Sequence, residues 1–339
     1  MIEKSMLYSH AKDAALALAR LLGHDEQTCR TVLLITHLNP DGDAIGSLTG
    51  LGLALEQMGH HVTLLTPTPA PSFVGGMPAV DRIQSFDQNS LLSPEIDIVI
   101  LVDTGDVKRI GRVWDDARDF LLARPMAVID HHVTNSGEGA VNFVDPRRSS
   151  TCELVFDLLR AWNFSPTPEI ATALLLGMVT DTQSFRTSNT TPSALRAAAE
   201  LLEAGADRER IVHDVYRNIP VPTARLLGLA LQALQYDDQI VWTHVSNAMQ
   251  AAAQADDNAH GEVTDYLASL GGFRASALFR ERYEGGVKVS LRSVPGVDVS
   301  AVAQQFGGGG HRQAAGCTLA VSLVEAQTLV LDALRAKLR

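Results

Sequence analysis

A chain of 339 residues, 46% of them hydrophobic, is long for a single core and comfortable for two domains of ordinary size. Its formal charge of −11 and pI near 5.4 set the molecule as a whole against a long polyanion, while a short phosphorylated substrate gripped at one local site stays compatible with them. No apolar run approaches the roughly 18 to 20 residues of a membrane span and the opening segment holds no signal-peptide core, so the expectation is a soluble, cytoplasmic protein with no membrane partner.

In chain order, Ala11 to Gly23 reads as an amphipathic helix with a glycine stop, leading into a strand over 31–36. That strand ends in Thr-His-Leu-Asn-Pro-Asp-Gly-Asp, which puts His37, Asp41 and Asp43 within seven residues at a strand's C-terminal end, where open α/β sheets hold ligands. A helix over 44–58 follows and stops at Gly59; His61 to Leu65 is the next strand, and the Pro- and Gly-rich stretch 67–78 is a loop. The apolar run Ile96 to Val102 has the composition of a strand buried on both faces and ends in Asp103-Thr104-Gly105-Asp106. Met126 to Ile129 repeats the pattern and ends in Asp130-His131-His132. Helices over 151–162 and 169–179 come next, the second running into Asp181, and a further helix over 192–204 is capped by Gly205. Beyond it the pattern changes to alternating strands at 240–245, 273–279 and 287–294, a glycine-rich loop, a strand near 317–321 and a final helix.

Strand, helix and acidic turn thus recur three times, the pattern of an α/β protein with a doubly wound, mainly parallel sheet carrying its polar residues on one edge. The domains predicted are 1–195, a helical linker 196–222, and a smaller α/β domain 223–339. Collected at the element ends are His37, Asp41, Asp43, Asp103, Asp130, His131, His132 and Asp181. So many carboxylates in one crevice repel each other unless cations offset them. Mixed imidazole and carboxylate donors, with no thiolate among them, favour Mn²⁺, Fe²⁺ or Mg²⁺-like ions over structural zinc. Cys29, Cys152 and Cys317 form no CxxC pair and are expected as packing residues in a reducing compartment. Asp106 and Asp145 are read as cap or turn residues, the pair His60-His61 as surface or packing, and Asn39 and Asn135 as candidates for positioning.

The acidic motifs and the Asp-His-His triplet resemble the DHH phosphoesterase superfamily, and Gly-Gly-Gly-Gly-His-Arg-Gln-Ala-Ala-Gly at 307–316 is similar to the loop of the DHHA1 domain that follows it. Together they resemble the branch of bifunctional oligoribonucleases and pAp phosphatases, the nanoRNases, over nearly the whole chain. The resemblance implies two divalent ions, most often Mn²⁺ with Mg²⁺ or Co²⁺ as alternatives, in a cleft between the two domains. One ion takes His37, Asp41 and Asp103; the other takes Asp43, Asp103, His131 and Asp181, so Asp103 bridges. It further implies that Asp130 orients a neighbouring histidine, that His132 meets the scissile phosphate or the leaving oxygen, and that Arg292, Gly308, Gly309, Gly310, His311 and Arg312 hold the substrate's terminal phosphate or sugar. The expected partners are short RNA oligonucleotides or dinucleotides and 3'-phosphoadenosine 5'-phosphate (pAp), with no long nucleic acid, and a second copy of the chain in a homodimer.

Two other readings fit the same residues. One is a phosphodiesterase for cyclic dinucleotides or their linear products pGpG and pApA; the other is a catalytically silent nucleotide-binding scaffold, which would be free to lose acidic ligands, whereas here none is missing.

Overall fold

Runs of β-branched and leucine residues separated by helices of at least ten residues leave a chain little choice but strand–helix crossovers, and these build the first half of the molecule. The computed structural model describes residues 6–23, 28–87, 92–256 and 259–338, and it divides into two units after Asn218. Among the described residues, the first unit holds strands β1 (Met6–Tyr8), β2 (Thr31–Ile35), β3 (His61–Thr66), β4 (Gln84–Ser85), β5 (Ile98–Val102), β6 (Met126–Asp130) and β7 (Val141–Val144) in one sheet of order β1-β7-β6-β5-β2-β3-β4, every pairing parallel.

From β2 the chain walks outward through β3 to β4, then returns to the other side of β2 with β5 and walks the opposite way. The direction of winding therefore reverses between β2 and β5, and the two loops leaving these strands part company there. Such a reversal opens a crevice beyond the strands' carboxyl ends. The sheet is covered on both sides, as the uninterrupted apolar strands require. Val32, Leu34, Ile98, Ile100 and Val102 pack with residues of helices α1 (Ala11–Leu22), α2 (Gly42–Gln57), α4 (Thr151–Ala161) and α5 (Pro168–Asp181), while Leu33, Ile35, Val99 and Leu101 face Val113 and Leu121 of α3 (Arg112–Leu122). Helices α6 (Pro192–Glu203) and α7 (Arg208–Tyr216) complete this unit.

Helices α2 and α5 lie unusually close. Gly42, Gly46 and Gly50 recur every fourth residue on α2, and a Cβ at Gly46 would overlap the carbonyl of Ala173, while one at Gly50 would come 2.7 Å from Leu174 Cδ2. On the facing helix a Cβ at Gly177 would sit 2.9 Å from the Cα of Asp43. Small residues on both sides bring backbone against backbone, and this fixes where the first turn of α2 meets the last turn of α5.

The second unit holds α8 (Val221–Gln232), β8 (Gln235–Tyr236), β9 (Ile240–Val245), α9 (Asn247–Ala253), α10 (His260–Ser269), β10 (Ala275–Glu281), β11 (Val287–Ser293), α11 (Ser300–Gln305), β12 (Gly309–His311), β13 (Ala314–Leu319) and α12 (Leu323–Leu338). Its six strands, again among the described residues, run β12-β13-β11-β10-β9-β8 with only β9–β10 parallel. Phe279, Val289 and Leu291 pack with Val330 and Leu334 of α12 on one face; Val241, Val245 and Leu278 pack with Leu226, Val263 and Leu267 of α8 and α10 on the other.

The sequence reading is corrected in several places. Cys29 is exposed, because it lies in the loop before β2 outside both covered faces, whereas Cys152 and Cys317 are buried. The glycine-rich segment is half strand: Gly309–His311 pair with β13, since Gly308 and Gly310 let the backbones close in, a Cβ at either meeting atoms of residues 314–317 within 2.6 Å. Helix α3 and strand β7 escaped notice, the first because charged residues crowd it, the second because it is four residues long with Asn142 in its middle. Among the described residues, no helix is long and apolar enough to cross a membrane.

Candidate metal centre

Three loop starts and one helix end converge at the crevice beside β2 and β5. After β2 the chain turns through Asn39 in a left-handed conformation (φ 52°) and enters α2 with Asp41 as its N-cap, whose Oδ1 accepts from the N–H groups of Asp43 and Ala44, each at 3.0 Å. Asp103 directly follows β5, also left-handed (φ 57°), a conformation that Asp and Asn tolerate better than other side chains. His131 and His132 follow β6, and Asp181 ends α5.

Asp103 stands at the middle and is 1% exposed. Its Oδ2 lies 3.6 Å from His37 Nε2, while its Oδ1 lies 3.7 Å from His131 Nε2 and 3.5 Å from His132 Nδ1. The two oxygens therefore serve two different neighbourhoods. His131 Nε2 also lies 3.9 Å from Asp43 Oδ2 and 3.7 Å from Asp181 Oδ2. Three sets offer donor atoms within 4.8 Å of one another: His37, Asp41 and Asp103; Asp43, His131 and Asp181; and Asp103, His131 and His132.

The electrostatics are those of a crowded cluster of carboxylates. Burial pushes the Asp103 carboxyl well above the usual carboxylate range, and the negative charges of Asp43 and Asp41 push it further. Burial likewise raises Asp43, and burial with the Asp43 charge lifts Asp181 to about 7. His131 is driven the other way from what burial favours: Asp43, Asp103 and Asp181 together hold it protonated to about 9. Among the described residues, the ion-pair partners of Asp43, Asp103 and Asp181 are histidines, with no Lys or Arg. A donor set of carboxylates and imidazoles, buried at Asp43 and Asp103 and opening outward at Asp41, mutually repelling and with no Lys or Arg paired to it among the described residues, fits divalent cations of the Mn²⁺ and Mg²⁺ kind.

Asp130 stands apart from these sets. It is fully buried, and its Oδ2 accepts from Gly105 N–H (2.5 Å) and Asn135 Nδ2 (2.6 Å), while its Oδ1 accepts from His132 N–H (3.1 Å) and faces His132 Nδ1 at 2.7 Å. Burial would raise this carboxyl, yet the bonds from His132 and Asn135 outweigh it and hold it below the ordinary range. With Nδ1 committed to Asp130, His132 has Nε2 left for other work.

Residues that sequence reasoning passed over complete the shell. Helix α4 begins against the carboxylates: Thr151 N–H donates to Asp43 Oδ2 (2.7 Å), Cys152 N–H donates to Asp43 Oδ1 (2.9 Å), and Thr151 Oγ1 donates to Asp103 Oδ1 (2.9 Å). The available signal was Ser149-Ser150-Thr151 ahead of an apolar run, which reads as a helix start and says nothing of what lies opposite. Asn135 does position Asp130, whereas Asn39 donates its N–H to Thr68 Oγ1 (2.8 Å). Asp106 caps a short turn through Lys108 N–H, and Asp145 pairs with Arg147 at 2.8 Å.

In the second unit, Arg292 on β11 pairs in register with Ala314, and Ala314 with His311, so the three share one row across β11, β13 and β12. Arg292 is half-buried; Arg312 is largely exposed, its Nε 3.6 Å from Asp298 Oδ2; the side chain of His311 lies outside the described part of the structure. A Cβ at Gly309 would meet nothing within 4 Å, unlike one at Gly308 or Gly310.

Comparison with known proteins shows the family. The family model "DHH family, N-terminal domain" matches residues 31–178, and "DHHA1 domain" matches residues 244–339. The bifunctional oligoribonuclease and PAP phosphatase NrnA of Thermus thermophilus is 35% identical over 91% of this chain and 90% of its own length. The cyclic-di-AMP phosphodiesterase GdpP of Geobacillus thermodenitrificans is 29% identical over 89% of this chain but 47% of its own length. Among solved structures, an exopolyphosphatase-related protein from Bacteroides fragilis superposes with a TM-score of 0.88, at 26% identity over 96% of both chains.

Proposed function

The chain belongs to the DHH phosphoesterase family, with a DHHA1 domain as its second part, and from that premise we propose that it hydrolyses short RNA oligonucleotides to 5'-mononucleotides and removes the 3'-phosphate of pAp. The observation that carries the reading is Asp103: one buried carboxylate whose two oxygens face two separate donor sets, beside relatives of similar length named for these two activities.

His37, Asp41 and Asp103 hold one divalent ion, and Asp43, Asp103, His131 and Asp181 hold a second, with Mn²⁺ the best match to the donors. When bound, such a pair lowers the pKa of a water and neutralises charge on the phosphate. The chain's own groups do the rest. His132, held by Asp130 through Nδ1, meets the scissile phosphate and delivers the proton on its Nε2 to the leaving oxygen as the oxygen of the attacking water bonds to phosphorus and the leaving oxygen's bond breaks. Arg292, the glycines 308–310, His311 and Arg312 hold the substrate's terminal phosphate or sugar, the glycines by presenting bare backbone N–H groups and the arginines by their forked donors.

The test is a substrate panel with the full chain and Mn²⁺, Mg²⁺ or Co²⁺: di- to pentaribonucleotides, pAp, pGpG and cyclic di-AMP. Release of mononucleotides and of phosphate from pAp is expected; a metal-loaded protein that does neither refutes the reading, and turnover of cyclic di-AMP alone replaces it. Asp103→Asn is expected to lower kcat on the order of a thousand-fold or more, because several kcal/mol of charge stabilisation rest on both ions.

A further inference from the structure

The first turn of α4 is where two carboxylates of the second donor set, one of them shared with the first set, are held by one residue. Ser150 already does the capping, its Oγ accepting from Glu153 N–H at 3.1 Å, so the hydroxyl of Thr151 is not needed to start the helix. It is fully buried and spends its proton on Asp103 Oδ1 at 2.9 Å, while the N–H of the same residue donates to Asp43 Oδ2 at 2.7 Å. Asp103 and Asp43 come from opposite sides of the winding reversal, on loops 60 residues apart in sequence, and among the described residues His131 is the other side chain that lies within 4 Å of both carboxylates.

We infer that Thr151 is a positioning residue that sets the spacing of Asp43 and Asp103, and through them the spacing of the two cation positions. Each bond occupies one lone pair of an oxygen that also faces His131, leaving the other lone pair for a cation and fixing the plane of each carboxylate. The carboxylates are thus pinned before any ion arrives, and cation binding does not have to order them. The inference rests on the two-ion reading of the site.

The test compares Thr151→Val, which keeps the shape and loses the hydroxyl, with Thr151→Ser, which keeps the hydroxyl and loses a methyl. Both leave the backbone N–H in place. Mn²⁺ uptake by the metal-free full chain is measured by calorimetry, and the coupling between bound ions by electron paramagnetic resonance. Loss of an orienting partner of a ligand typically costs about 10- to 100-fold in metal affinity. The valine variant is expected to bind Mn²⁺ about 10- to 100-fold more weakly with an altered coupling signal, the serine variant within about three-fold of wild type with the signal kept. At saturating Mn²⁺ the valine variant should lose kcat with little change in KM. Should valine prevent folding, Thr151→Ala against Thr151→Ser repeats the comparison. Wild-type affinity and coupling in the hydroxyl-free variant, or equal damage from serine and valine, overturns the inference while leaving the metal reading intact; a wild-type chain that takes up no Mn²⁺ rejects the metal reading itself.

Discussion

At the scale of single residues, the site is a cluster of acids kept buried at an electrostatic cost that shows in their protonation. Asp181 rises from 3.8 to about 7 and His131 from 6.5 to about 9 on folding. A raised value in the folded state means that the native protein binds more protons than the unfolded chain, so stability falls as pH rises. For Asp181 the loss develops between about 4 and about 7, and for His131 the stabilisation present below 6.5 is gone above about 9. Thermal denaturation of the metal-free protein should therefore give a Tm that drops from pH 6 to pH 9. Mn²⁺ should restore it, with the larger gain at the higher pH, because fewer protons then have to be displaced. A Tm that is flat with pH in chelator would contradict the burial of these groups. Most of the clustered side chains were legible from sequence, since an Asp or His directly after an apolar run stands at a strand's end whatever the fold. Thr151 was not, because its partners are set by packing between α4 and the sheet, and no local pattern encodes that.

Elements, rather than residues, explain how the distances are kept. The glycine row of α2 lets α5 approach until Asp43, in the first turn of one helix, and Asp181, in the last turn of the other, share His131 as a neighbour. A methyl at Gly46 has no flexible side chain to displace, only the Ala173 carbonyl and the Cys152 sulfur. Gly46→Ala should destabilise by about 1–3 kcal/mol or more and weaken Mn²⁺ uptake as well. Gly228→Ala, on the exposed face of helix α8 with open space around it, should instead stabilise by up to about 1 kcal/mol. Chemical denaturation of the two variants checks both signs. In the second unit, Gly308→Ala should cost stability, since its Cβ would sit 2.6 Å from that of Cys317, whereas Gly309→Ala should leave Tm unchanged and raise KM for pAp if the loop approaches a phosphate. The sequence showed α2 as a helix and the glycine run as a loop; it could not show that the first glycine pattern serves helix contact and that Gly308 and Gly310 serve a strand pairing. Which glycine answers to the protein and which to a ligand is a question of what stands opposite.

Over the whole molecule the charge is lopsided. The unit ending at Asn218 carries 28 acidic and 18 basic residues, the one after it 11 and 10, so nearly all of the net −11 belongs to the unit that contains the acid-rich crevice. Repulsion of this kind grows with the number of phosphates on the substrate and is screened by salt. Between about 0.01 M and about 0.1 M salt, where the Debye length shrinks from about 30 to about 10 Å, kcat/KM for a pentanucleotide should rise relative to that for a dinucleotide. A steep fall would instead reveal a track of cations along the longer strand. The doubly wound architecture was the most legible feature of all, because three apolar strands each ending in an acid, with helices between, can be arranged in few other ways. The seam between β2 and β5 has one more consequence. Its donors are strung along the chain from His37 to Asp181, so a growing polypeptide on the ribosome carries an incomplete set until it has passed the middle of its length. A product truncated before α5 would keep His37, Asp41 and Asp103 but leave Asp43 and His131 without Asp181, the third member of their set.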